Sequence, residues 1–207
     1  MPRLPTPLRA VHALFLAALL GGLAPSAVAA PLAVTAEEEA LLRAREIVVR
    51  PLASRSEGGV RVFAVVDIHA GRAAVWGALL DFPGRLKSNT AVKSVEHYRP
   101  STPTDQWVRW EVSKFGFSIG YHNHYALDVA AGRLSHELDT TKENDLAGSR
   151  GVYDLLPSPA GADWTRLAYE CESNFGQAMP EFVQRWMSTG ATRDFMADMA
   201  ARAEALQ

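Results

Sequence analysis

Along residues 60–68, Val60, Val62, Ala64, Val66 and Ile68 fall on alternate positions, the two-residue period of a strand with one buried face. The same alternation continues downstream. It predicts strands at 92–99, 106–112, 117–129, 133–139, 151–156 and 164–173, with a brief lead-in strand at 46–50. Turn residues separate them: Pro100–Asp105, Lys114–Gly116, Ala130–Gly132 and Pro157–Ala162. Short connections between consecutive strands imply an antiparallel meander. Three stretches change period. Thr35–Arg45 opens with a capping residue and an acidic first turn, and Arg72–Leu80 carries Val75, Trp76, Leu79 and Leu80 at helical spacing until Asp81–Gly84 ends it. From Pro180 onward, Phe182, Val183, Trp186, Met187, Phe195, Met196, Met199 and Leu206 recur at helical steps, with Gly190 a place for a bend.

Residues 1–29 follow a different logic. Arg3 and Arg9 precede the apolar run Ala13–Ala24, and Ala27-Val-Ala29 offers a small-residue cleavage site, the pattern of a secretory signal peptide. The run is shorter than the roughly 20 residues of a membrane span and contains Gly21-Gly22. No cysteine marks a lipoprotein site and no twin arginine precedes the run. The expected organisation is a signal peptide at 1–29, an N-terminal helix and lead-in strand at 30–57, and one domain at 58–207. A periplasmic or secreted location follows cleavage near Ala29.

Composition narrows the partners. Of 207 residues, 48% are apolar and 21% charged, enough apolar material for a core. Cleavage takes two arginines and no acid from totals of 21 bases and 23 acids, leaving 19, 23 and a net charge of −4. Such a chain offers nucleic acid no general attraction. The lone Cys171 excludes an internal disulfide, and its inward register suggests a small buried hydrophobe.

The order of elements carries a resemblance. Ile68-His-Ala-Gly-Arg-Ala-Ala-Val-Trp-Gly-Ala-Leu-Leu-Asp-Phe82 resembles the strand-to-helix opening of the START-like (SRPBCC) superfamily. Gly151–Pro157 and Trp164–Tyr169 are similar to its paired late strands, and Met179-Pro-Glu-Phe-Val183 to the start of its closing helix. Within the superfamily the chain is most similar to polyketide cyclase/dehydrase-like and Coq10-like members. The resemblance implies an α+β helix-grip fold, a curved antiparallel sheet wrapped around a long C-terminal helix, with an elongated apolar cavity between them.

Candidate chemistry is sparse. His122 and His124 share a strand face, but Phe117, Ile119, Tyr121, Tyr125 and Leu127 claim the other face as buried, so both histidines are expected to point outward without a third metal ligand. Asn123 falls on the apolar face, either orienting a ligand's polar end or satisfied by backbone at a strand irregularity. His136, between Leu134 and Leu138, is expected inside as a polar anchor or core histidine rather than a catalyst. Lys142–Asp145 reads as a solvated loop. Arg85, Lys87 and Lys93 read first as a solvated edge and second as a point of transient contact with an anionic membrane surface.

Alternation gathers Trp110, Tyr121, Asn123, Tyr125, His136, Tyr153 and Tyr169 on one sheet face, and helical spacing aims Phe182, Trp186 and Met187 at it. These ten are the expected ligand-binding residues, with the loop 174–179 or the closing helix moving to admit the ligand. The expected function is a monomeric binder or carrier of a lipid or other hydrophobic small molecule, without cofactor or metal. The alternative is a cyclase/dehydratase-type enzyme using His136 and the tyrosines as acid–base groups.

Overall fold

The computed structural model describes residues 32–114, 116–176 and 180–207. The expected signal peptide lies outside the described residues, as do Gln177–Met179 of the loop expected to move.

Eight strands form a single antiparallel sheet: β1 (Val48–Leu52), β2 (Gly59–Ile68), β3 (Val92–His97), β4 (Asp105–Lys114), β5 (Phe117–Asp128), β6 (Arg133–Leu138), β7 (Gly148–Pro157) and β8 (Thr165–Asn174). Their spatial order is β1-β2-β8-β7-β6-β5-β4-β3. Helices α2 (Arg72–Leu80) and α3 (Phe82–Ser88) carry the chain from β2 to the far edge, and the meander returns it until β8 pairs with β2. The sheet is curved and unclosed, with β1 and β3 as its rims. The C-terminal helical segment packs on one face, its last part, α5 (Ala191–Glu204), against α2 and β2. This is the helix-grip arrangement.

Both faces of β2 are buried, where alternation alone predicted one. Ala64, Val66 and Ile68 join the large core under α5. Phe63 and Val65 point the other way and pack with Val48, Ala168 and Leu42 of helix α1 (Ala36–Arg43). Helix α1 is held by the capping box that its sequence announces: Thr35 Oγ1 accepts from Glu38 N at 3.2 Å, and Glu38 Oε2 accepts from Thr35 N at 2.8 Å.

Asp81 does not end the helical region; it joins two helices. With φ −77° and ψ 71° it leaves α2, and its carboxylate accepts from Gly84 N at 3.0 Å to cap α3. Pro83 sits in the first turn of α3, where its missing N–H costs nothing. The loop 142–145 is likewise more than a solvated turn. β6 pairs with β5 only from Asn123 onward, and the loop satisfies the backbone left over: Asp145 Oδ2 accepts from Gly120 N at 2.6 Å and Asn144 Oδ1 from His122 N at 2.7 Å.

The closing segment is three pieces: α4 (Glu181–Arg185), a π-helical turn at Trp186–Gly190, and α5. Val183 and Thr192 are nine positions apart, which an unbroken α-helix at about 100° per residue would place on opposite sides. Both are buried and both line the cavity, because the wider π turn takes up a large part of that phase difference. Gly190 permits that turn, since a Cβ there would stand 2.9 Å from Trp186 Cδ1.

Candidate functional site

Between the sheet and the closing segment lies a cavity of about 220 Å³. That is a little under the roughly 300–1,000 Å³ of ordinary small-molecule pockets, which suits a compact ligand or one that displaces the helix. From the sheet, Trp110, Tyr121, Asn123, Tyr125, His136, Tyr153 and Tyr169 reach it, and from the closing segment Trp186 and Met187. Regular pairing puts them there: Trp110 is opposite Tyr121, Tyr125 opposite His136, and Tyr153 opposite Tyr169.

Phe182 is a correction. It is 54% exposed, does not line the cavity, and stands beside Phe117 with ring centroids 6.4 Å apart. Its neighbour Val183 takes the inward position. Cys171 has the inward register expected of it, but it is half-buried at the cavity wall rather than packed in the core.

The aromatic wall is continuous. Tyr153 and Tyr169 stack at 4.3 Å, Phe195 from α5 meets them at 5.8 and 5.5 Å, and His136 lies 5.4 Å from Tyr125 and 5.9 Å from Tyr153. Trp110 Nε1 donates to Tyr125 Oη at 3.1 Å. Asn123 sits in regular pairing, with no strand irregularity, and its Nδ2 lies 3.3 Å from His136 Nδ1. Asn123 is 2% exposed and His136 6%, yet Asn123 Oδ1 and His136 Nε2 have no hydrogen-bond partner.

Burial, reinforced by the charge of Arg85, pushes His136 down to about pKa 3, so at neutral pH it is an uncharged imidazole. Burial likewise raises the hydroxyls of Tyr121, Tyr125, Tyr153 and Tyr169 and the thiol of Cys171. Every titratable ring or thiol in this wall is held neutral.

Arg85 departs most from its expected place. It is a buried residue of α3, not part of a solvated edge, and it lines the cavity at 5% exposure. Its Nη2 donates to Leu79 O at 2.8 Å, and its Cζ stands 5.1, 5.3 and 5.0 Å from the ring centroids of Phe82, Trp110 and Phe195. The missed signal is spacing: Arg85 follows the fully buried Phe82 by three, on the same side of a short helix. Phe195 was legible as part of the helical stripe, eight residues beyond Met187.

His122 and His124 lie on the opposite face to this wall. His122 stacks edge-on with Tyr98, and His124 bonds Asp105 at 2.9 Å over the Trp107 ring. Among the described residues no group of three His, Cys, Asp or Glu side chains could hold a metal ion.

No family model and no curated protein matches the chain. Solved structures do. A STAR-related lipid transfer protein from Xanthomonas axonopodis superposes with a TM-score of 0.61 at 15% identity, covering 76% of this chain and 93% of that one. A START superfamily protein from Mycobacterium smegmatis gives 0.58 at 16% identity, covering 71% and 99%. The fold is START-like. The ZhuI aromatase/cyclase from Streptomyces sp. R1128 shares this START-like fold too, with a TM-score of 0.57 at 18% identity over 72% of this chain and 93% of that one. Shared architecture at such identities extends to binder and enzyme alike, so the START-like frame leaves function to the site.

Proposed function

We propose that this protein binds and carries a lipid or other hydrophobic small molecule in the cavity between sheet and closing helix, as an exported protein freed of its leader near Ala29. The observation that carries the reading is the wall itself: a continuous aromatic and aliphatic surface, interrupted by polar side chains such as Asn123 and His136, with every titratable ring or thiol neutral. The fold shared with a lipid transfer protein supports it. Acid–base catalysis fits less well. A histidine held near pKa 3 is a weak base at neutral pH, and tyrosines raised by burial are weak acids.

The test is extraction of the purified protein with organic solvent, mass spectrometry of what it releases, and titration with a neutral fluorescent hydrophobe. Binding that weakens in Trp186→Ala while the thermal melt stays cooperative is the expected result. No copurified molecule and no probe binding overturn the proposal. Turnover of a bound polyketide-like molecule, abolished in His136→Ala, would replace carriage by catalysis.

A further inference from the structure

A guanidinium buried without a carboxylate is costly, because the low-dielectric interior replaces neither its hydration nor its counter-charge. Arg85 is in that position. Its one hydrogen bond in the structure goes to a neutral carbonyl, Leu79 O, and its Nε has no partner at all. Among the described residues no acidic side chain stands within ion-pair distance of it. The rings of Phe82, Trp110 and Phe195 surround the cation and offset part of the cost through their negative faces, but they carry no net charge. The two other charged residues lining the cavity are less enclosed: Asp194 is exposed and Lys114 half-buried. The interior of the cavity therefore holds one fixed positive charge among uncharged aromatic, aliphatic and polar side chains.

We propose that Arg85 is a head-group site, and that the ligand is a compact amphiphile ending in a carboxylate. The anion meets Arg85, and the apolar body lies along the aromatic wall toward Trp186. A carboxylate matches the planar fork of guanidinium donors, and its single charge balances the single buried cation. A phosphate monoester, with close to two charges at neutral pH, would leave one uncompensated. The inference rests on the hydrophobic-ligand reading above and specifies the chemistry of its polar end.

The experiment is competition against a neutral fluorescent hydrophobe at neutral pH, using decanoate, decanol and methyl decanoate on wild type, Arg85→Met and Arg85→Lys. In wild type, decanoate should compete about ten- to a hundred-fold better than decanol, the range expected of a charge-assisted hydrogen bond. Arg85→Met should abolish that preference, read as the ratio of the decanoate and decanol affinities within each variant so that any change in neutral-probe affinity cancels. Arg85→Lys should keep part of it, and circular dichroism and thermal melts confirm that each variant is folded. Equal competition by decanoate and decanol in wild type overturns the proposal and leaves the carrier reading standing, as does a preference that survives Arg85→Met. Absence of binding by the neutral probe and all three competitors overturns both.

Discussion

Arg166 on β8 and Arg85 on α3 are 7% and 5% exposed, and they face opposite sides of the same sheet. Arg166 is saturated. It bonds both oxygens of Asp67 on β2, at 2.8 and 2.9 Å, and both oxygens of Glu39 on α1. Those carboxylates raise its pKa still further above the usual arginine range. Arg85 has a carbonyl, three rings and an orphaned Nε. On the α1 face Arg166, Asp67 and Glu39 close on one another, which ties helix, β2 and β8 together; there only Arg50, ion-paired with Glu38, keeps an unpartnered atom, its Nε, among the described residues. On the cavity face Arg85, Asn123 and His136 all keep an unpartnered atom. What separates the two is the charge: Arg50, like Arg166, is paired with a carboxylate, whereas Arg85 has none and shares its cavity with the unpartnered Asn123 Oδ1 and His136 Nε2.

The comparison breaks first at Arg166. Arg166→Met should cost about 3–5 kcal/mol in urea unfolding, since it strands the buried Asp67 carboxylate. Arg85→Met, which strands no acid, should move stability by less than about 1 kcal/mol. Equal losses would mean that Arg85 is as structural as Arg166.

A second, smaller effect is pH dependence on the cavity face. His136 binds its proton at about pH 3 when folded and near 6.5 when unfolded, so the unfolded chain takes up the proton first. Stability should be level above pH 6.5 and fall below it, by up to about 1.4 kcal/mol per pH unit for this one group. His136→Phe should flatten that slope between pH 6.5 and 4.5. Further down, other groups take over. Burial raises Glu172 and Asp139, but hydrogen bonds and cations outweigh it: Arg150, Arg55 N and Ser54 at Glu172, and Thr141, Tyr98 and Arg99 at Asp139, hold both near pKa 2. Their stabilisation is present above their unfolded values and is lost as pH falls toward 2. Chemical denaturation from pH 8 to 3 on wild type and His136→Phe separates the two regimes, and parallel curves would remove His136 from the account.

A third effect, confined to one contact, sharpens the geometry of the wall. A Cβ at Gly151 would collide with His136 Nε2 and stand 2.7 Å from Glu170 O, a backbone atom that cannot yield cheaply. Gly151→Ala should cost about 1–3 kcal/mol in a thermal or urea melt. An unchanged melt would show that the imidazole can move away from β7.

Much of this was legible from period alone. Alternation along β4 to β8 carries Trp110, Tyr121, Asn123, Tyr125, His136, Tyr153 and Tyr169 to one face, because side chains in regular pairing keep their side for the whole strand. What escaped lay where local pattern is silent. Phe182 and Val183 are both apolar, and a π turn nearby changes which of them points inward. Arg85 reads as surface because its charge outweighs its position, and the seven-residue α3 is too short to show a period. The second buried face of β2 required knowing that α1 folds back over it.

An unclosed sheet leaves two rims at which another extended chain could add as a ninth strand. Here neither rim is inviting. β1 carries Pro51, which has no N–H to offer, and its pairing to β2 is only five residues long. β3 presents Lys93, Glu96 and His97 to solvent, and its register slips between Val92 and Ser94. A sheet that must stay open to grip a helix, and so cannot abolish its ends by closing into a barrel, has ends that resist templating. Accretion of strands is thereby discouraged without covering either rim.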